Sequence, residues 1–193
     1  AWDPRFGDFR ANGTITAITV ISNAVFVGGE FTTMGGVEAT NLAKWEGGIW
    51  SAVGGGVDGP VRALAAAGTN LLVGGEFLKA GTVAATNIAK WNGSRWSAFD
   101  TGLDGPVYAL AAQDSKVYAG GLFANASGTN TLNIALWDGS AWTPLAEGVD
   151  GKVSALVVQA TNAVYVGGEF TKAGTLDAAN IAKWNGQAWS ALR

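Results

Sequence analysis

The chain has 193 residues, 48% hydrophobic and only 14% charged, with a net charge of −3. This balance argues against disorder, which needs low hydrophobicity and high charge. It also argues against a nucleic-acid partner, whose phosphates require clustered Lys and Arg. With no Cys and no His, disulfides, thiol chemistry, Cys/His zinc sites and imidazole base catalysis are excluded, and no apolar run approaches the ~18 residues needed for a membrane-spanning helix.

The chain opens on Ala1 with no signal-peptide pattern, which suggests a processed product or a fragment. Residues 1–12 precede the first full copy of a repeat that fills the rest, in segments 13–57, 58–103, 104–149 and 150–193. Each copy carries Gly-Gly, then Phe, Asn-[Leu/Ile]-Ala, Trp, a Gly turn and a second Trp. The first Trp recurs at Trp45, Trp91, Trp137 and Trp184, at spacings of 46, 46 and 47. A period of this size means stacked copies of one supersecondary unit.

Within the second copy, residues 61–67, 70–77, 86–91 and 95–99 read as four short strands separated by turn residues, with little room for a helix. In the third of these, Ile88 and Lys90 should face one way and Ala89 and Trp91 the other. Asn92-Gly93, Asp138-Gly139 and Asn185-Gly186 predict two-residue hairpin turns, and Glu46-Gly47 fills that slot in the first copy.

Four antiparallel strands per repeat of about 46 residues is the blade of a β-propeller. The expected fold is all-β, with four visible four-stranded blades. The pairs Gly28-Gly29, Gly74-Gly75, Gly120-Gly121 and Gly167-Gly168 belong where neighbouring blades approach, and the paired Trp residues between blades. A β-solenoid is the rival, less suited to paired hairpin turns. The opening residues resemble the end of a repeat, with Phe6 and Phe9 standing for Trp96 and Phe99, and Asn12-Gly13-Thr14-Ile15 for Asp58-Gly59-Pro60-Val61. They read as the partial tail of a preceding blade.

The consensus V-[YF]-V-G-G-E-F-T-x-A-G, followed by N-I-A-x-W-[ND]-G-x-x-W-S-A-L, resembles bacterial propeller repeats related to the kelch and Rax2-like groups. Residues 164–192, 72–99 and 25–53 carry it most fully. The third copy departs, with Leu122 in place of Glu30, Glu76 and Glu169, and a changed loop at residues 125–128. The resemblance implies a tandem-repeat propeller, often found in large exported proteins, whose shared residues are architectural rather than catalytic.

Recurring residues are expected to serve the repeat. Gly-Gly-Glu-Phe lacks one acid of the cyclase signature and occurs three times. Eight of the nine Trp residues hold two fixed positions, which is packing behaviour rather than sugar stacking; only Trp2 stands outside. Asn41, Asn87, Asn133 and Asn180 read as backbone bridges. Glu30, Glu76 and Glu169 are expected on backbone amides or neighbouring loops. Asp58, Asp104 and Asp150 read as turn residues rather than a Ca²⁺ ring.

Positions that vary between copies are the better candidates for ligand or partner contacts. Thr16, Arg62, Tyr108 and Ser154 share one slot in the first strand and, with Trp2, form the candidate set; Lys79, Lys172, Glu38 and Asp177 decorate the long loop. No catalytic, cofactor-binding or metal residue is predicted. The expected function is a non-catalytic binding or structural scaffold module. The partner would be a protein or a second copy, and the setting an exported bacterial protein (extracellular, periplasmic or cell-surface) or a larger assembly. The alternatives are a glycan-binding, lectin-like propeller and a carboxylate-dependent glycan-active enzyme.

Overall fold

A computed structural model describes residues 10–159 and 163–192. The chain forms four sheets of four antiparallel strands, in the orders expected for successive up-and-down blades, and no described residue is helical. The innermost strands are Thr14–Ile21, Val61–Ala67, Val107–Gln113 and Lys152–Val158. Each pairs with a second strand ending at the Gly-Gly pair, followed by a small two-stranded hairpin and then the two Trp-bearing strands.

Alternation within a strand feeds two different cores. Ile88 packs with blade 3 residues Val107 and Phe123, whereas its neighbour Ala89 packs with blade 1 residues Leu42 and Val53. The cores therefore lie between blades. Leu42 and Phe26 of blade 1 join Val61, Val73 and Phe77 of blade 2. Ile88 and Phe99 of blade 2 join Val107, Val117 and Trp142 of blade 3. Ile134 and Leu145 of blade 3 join Val153, Val164 and Phe170 of blade 4. A fourth cluster, Val27, Phe31, Met34, Ala39 and Ala43, is drawn from blade 1 and is a half-core whose other half is not among the described residues. Successive innermost strands pack side by side, but those of blades 1 and 4 make no substantial contact, so the array is open among the described residues.

The glycine pairs do two different jobs. A Cβ on Gly28, Gly74 or Gly120 would land on Val61, Val107 or Val153 of the next blade. A Cβ on Gly29, Gly75 or Gly121 would instead strike the innermost strand of its own blade, at the carbonyl of Thr14, Pro60 or Pro106. In the first three pairs, therefore, only the first glycine marks the approach of blades.

Two expectations need correction. At the Asn-Gly sites the last paired residues are Trp91 and Trp96, leaving four-residue loops. Asn92 keeps an ordinary φ and its Oδ1 accepts from the backbone N–H of Ser94 (3.0 Å) and Arg95 (2.9 Å). Asp138 and Asn185 repeat this arrangement. The side chain builds an Asx turn, and a wider loop replaces the tight one. Between the two Trp-bearing strands the two-residue turn is found in blade 1 alone, at Gly47-Gly48, where both φ angles are positive. The glutamates are the second correction: Glu30, Glu76 and Glu169 pair with cations, as described below.

The start of the described chain matches the repeat. Ala11 bridges to Met34 as Val57 does to Ala80, Leu103 to Ala126 and Val149 to Ala173. Asn12 Oδ1 accepts the N–H groups of Thr32 and Thr33, as Asp58 Oδ1 accepts those of Leu78 and Lys79. Trp2, Phe6 and Phe9 lie outside the described residues.

Candidate functional site

The innermost strands carry the candidate site because all four are broken at one place. Their pairing slips between Ile15 and Ala17, Val61 and Ala63, Val107 and Ala109, and Val153 and Ala155. The residues left unpaired are Thr16, Arg62, Tyr108 and Ser154. A bulge re-aims the side chain of its extra residue, so the slot that varies between copies is also the one the backbone turns out of the ladder.

Thr16 Oγ1 donates to the carbonyl of Val61 in the next blade. Arg62 is clamped by two blades, with its guanidinium 2.5 Å from Glu30 and 2.8 Å from Glu76. Hydrogen bonding to Glu76 holds its pKa above the usual arginine value. Tyr108 lies under the Lys152 ammonium, 5.1 Å from its ring centre, and Lys152 also pairs with Glu169 at 3.0 Å. Ser154 is exposed. The result is a partly exposed inner rim of alternating charge with one aromatic. Leu122, 52% exposed, takes the glutamate place in blade 3.

Sequence reasoning found the bulge row but missed Lys152 and the role of the glutamates. The available signal was a departure from the repeat, since Lys152 replaces Pro60 and Pro106. Glutamates at the ends of the second strands reach across to a side chain of a neighbouring strand rather than to loop amides. Because Arg62 joins two blades, Arg62→Ala is expected to cost about 1 kcal/mol in a denaturant titration, above the ~0.5 kcal/mol of an unengaged surface position.

The other recurring polar residues are held by the architecture. Asn41, Asn87, Asn133 and Asn180 all adopt positive φ. The Nδ2 of the first three donates to the carbonyls of Val57, Leu103 and Val149 in the connections to the next blade. Asp104 and Asp150 accept backbone N–H bonds from the small hairpins, and the described residues hold no cluster of three or more acidic residues suited to a metal. In blades 2 to 4 the second Trp of the pair reaches backward. Trp96 Nε1 donates to Gly54, Trp142 Nε1 to Phe99 and Trp189 Nε1 to Leu145. Trp91 is half-buried and lines a groove of about 530 Å³ between blades 1 and 2, with Gly54, Val83, Arg95 and Trp96. Val53 is smaller than Phe99, which stacks edge-on to Trp137 (centroids 5.4 Å) at the next junction.

Three aspartates titrate below the ordinary carboxylate value. For Asp150 the causes are the Thr171 hydroxyl and the Lys172 N–H, and for Asp138 the N–H groups of Ala141 and Ser140. At Asp104 desolvation opposes the shift, but the donors of Asn125 and Ala124 outweigh it. A depressed folded pKa means that the unfolded chain binds more protons near and below its own value of about 3.9. The contribution is complete above that value and disappears as pH falls through the folded pKa values. With no histidine, stability should be flat from about pH 5 to 8. A melting series against pH checks this, and a step near neutrality would contradict it.

Four twisted sheets stacked side by side, with innermost strands adjacent, define a β-propeller array. The model of the Rax2 C-terminal beta propeller domain matches residues 4–147, and the chain belongs to that family. Among curated proteins, none matches it. Of solved structures, the computationally designed Ika4 protein is similar at 19% identity and a TM-score of 0.61, covering 90% of this chain and 92% of that one. The designed Ika8 protein is similar at 18% identity and a TM-score of 0.58, covering 89% and 45%. YCF48 bound to D1 peptide is similar at 17% identity and a TM-score of 0.52, covering 91% and 51%. The chain thus spans about half the length of the Ika8 and YCF48 chains. No helix among the described residues is long and apolar enough to cross a membrane.

Proposed function

We propose that this propeller is a non-catalytic binding module that holds a segment of a protein partner along its inner rim. The observation that carries the reading is the bulge row. A strand position that changes character from blade to blade, Thr16, Arg62, Tyr108 and Ser154, is the one where the backbone turns the side chain out of the ladder. The rim offers Tyr108 for apolar contact and Lys152, Glu30, Glu76 and Glu169 for charges and amides. Tyrosine is among the usual anchors of a protein contact. The YCF48 structure of the same fold is bound to a peptide, which favours an extended peptide as the ligand class.

Glycan hydrolysis needs a carboxylate pair with one member protonated. Arg62 lies between Glu30 and Glu76 and ties both carboxylates into an ion pair, which leaves neither free to act on a glycosidic bond, so no hydrolase turnover is expected. The setting proposed is an exported bacterial protein whose repeats are related to kelch repeats. Low charge and abundant Gly, Ala, Thr and Asn support it, and recovery of the native protein in a surface or periplasmic fraction tests it. A glycan reading has one observation in its favour, the groove beside Trp91 and Arg95, where an aromatic face and a guanidinium could meet a sugar ring.

Selection of a displayed peptide library on the immobilised chain tests the main reading. It should enrich related peptides whose affinity falls about tenfold or more in Tyr108→Ala. Enriched peptides indifferent to Tyr108→Ala and Lys152→Ala would remove the rim as the site. No enrichment, together with glycan binding lost in Trp91→Ala, would replace it with the sugar reading.

A further inference from the structure

The two ends of the array are the two halves of a junction that the chain builds three times inside itself. At each internal junction, a valine and a leucine of one innermost strand (Val61 and Leu64, Val107 and Leu110, Val153 and Leu156) seat on a glycine of the preceding blade. The three valines are 0% exposed. Their counterparts in blade 1, Ile15 and Ile18, are 48% and 67% exposed. The glycine that would receive them, Gly167, has only atoms of its own blade within 4 Å of a Cβ position, the nearest 3.7 Å away. Beside it Ile181 is 45% exposed, whereas Leu42, Ile88 and Ile134 in the same place are 0% exposed.

The polar groups match too. Asn41, Asn87 and Asn133 each donate Nδ2 to the connection that follows. Asn180 is exposed, and its side chain has no such acceptor among the described residues. The residue in the place of Val57, Leu103 and Val149 is Ala11, at the other end of the array. Trp50 Nε1 is a buried donor with no acceptor among the described residues. Its counterparts donate to Gly54, Phe99 and Leu145, and the residue in the place of Phe99 and Leu145 is Leu192.

We propose that two copies of this chain associate head to tail into a closed ring of eight blades. Ile15 and Ile18 of each copy seat on Gly167 and Ile181 of the other, Asn180 donates to the carbonyl of the other copy's Ala11, and Trp50 donates to that of the other copy's Leu192. The occupant is a second copy because each face repeats its half of an interface already formed three times in the chain. Such heterologous faces close when the rotation is right. Two copies make eight blades, within the range of about 4–8 that propellers adopt, while three copies exceed it. The fold also fits half of the longer designed Ika8 chain. This goes beyond the rim reading and does not depend on it.

Light scattering on the eluting 193-residue chain should give twice the single-chain mass of 19.7 kDa. Gly167→Leu, whose Cβ makes only ordinary van der Waals contacts within its own blade in the single chain, and Ile18→Lys, at an exposed site, should each give the single-chain mass with an unchanged circular dichroism spectrum. Mixing the two variants should restore the doubled mass, because one junction in the pair is then intact. A single-chain mass for the unaltered protein overturns the proposal. So does a Gly167→Leu protein that still pairs, which would mean contact through blade 1 faces only. A ladder of higher masses overturns closure at two copies. Association seen only after removing residues 1–9 makes that segment the occupant and likewise overturns the proposal. Peptide binding by the separated single-chain variants reads the rim independently.

Discussion

Replacing Trp142 with alanine should lower the stability of the chain by about 3–5 kcal/mol, the range for deleting a large buried aromatic. Trp142 is 4% exposed and belongs to the core between blades 2 and 3. Its ring sits 5.5 Å from Trp137 and 5.8 Å from Phe99, and its Nε1 donates to the Phe99 carbonyl at 3.3 Å. Truncation leaves a cavity flanked by two other rings and an unanswered carbonyl in a layer that two blades share. In a repeat array each unit is held by its neighbours, so loosening this junction weakens both. Urea unfolding measures the effect. A midpoint close to that of the unaltered chain would mean that the core between blades is not what holds them. Trp91→Ala should cost less, because Trp91 borders an open groove and is half-buried.

The propeller was legible because its determinants are local and repeated. Gly-Gly, the Asn before the third strand and the Trp pair each recur at one interval, the glycines where strands or blades approach, the Asn at a left-handed backbone and the Trp pair at the packing between blades. The turns after Trp91, Trp137 and Trp184 were less legible. Asn-Gly encodes either a tight turn or an Asx-closed loop, and the choice depends on where the two strands stop pairing, which is a property of the sheet. The inner rim was half legible. Variation between copies located Thr16, Arg62, Tyr108 and Ser154, but nothing in a linear pattern indicates a bulge at each of them. Nor does it bring Glu30 and Glu76, which lie 46 positions apart in successive copies, to the two sides of one guanidinium.

Asn133→Ala should cost about 3 kcal/mol, and Asn180→Ala, at the same place in the repeat, about 1 kcal/mol or less in the single chain. Asn133 is 7% exposed with φ at 66°, its Oδ1 accepts the Phe123 N–H at 3.1 Å and its Nδ2 donates to the Val149 carbonyl at 2.9 Å. Alanine therefore leaves two buried backbone groups unanswered, each costing about 1–3 kcal/mol, and lacks the short polar side chain that lets asparagine tolerate a left-handed backbone. Asn180 has the same φ, 64°, but is exposed at the open end, where water answers its neighbours. The difference between the two substitutions measures what a following blade contributes. It should be read in a background that cannot pair, such as Gly167→Leu. In the unaltered chain at high concentration, Asn180→Ala should cost more and weaken pairing, because Asn180 then meets the second copy. Equal costs at Asn133 and Asn180 in the single chain would show that the bridge to the next blade contributes little, and that the left-handed backbone is what the asparagine serves.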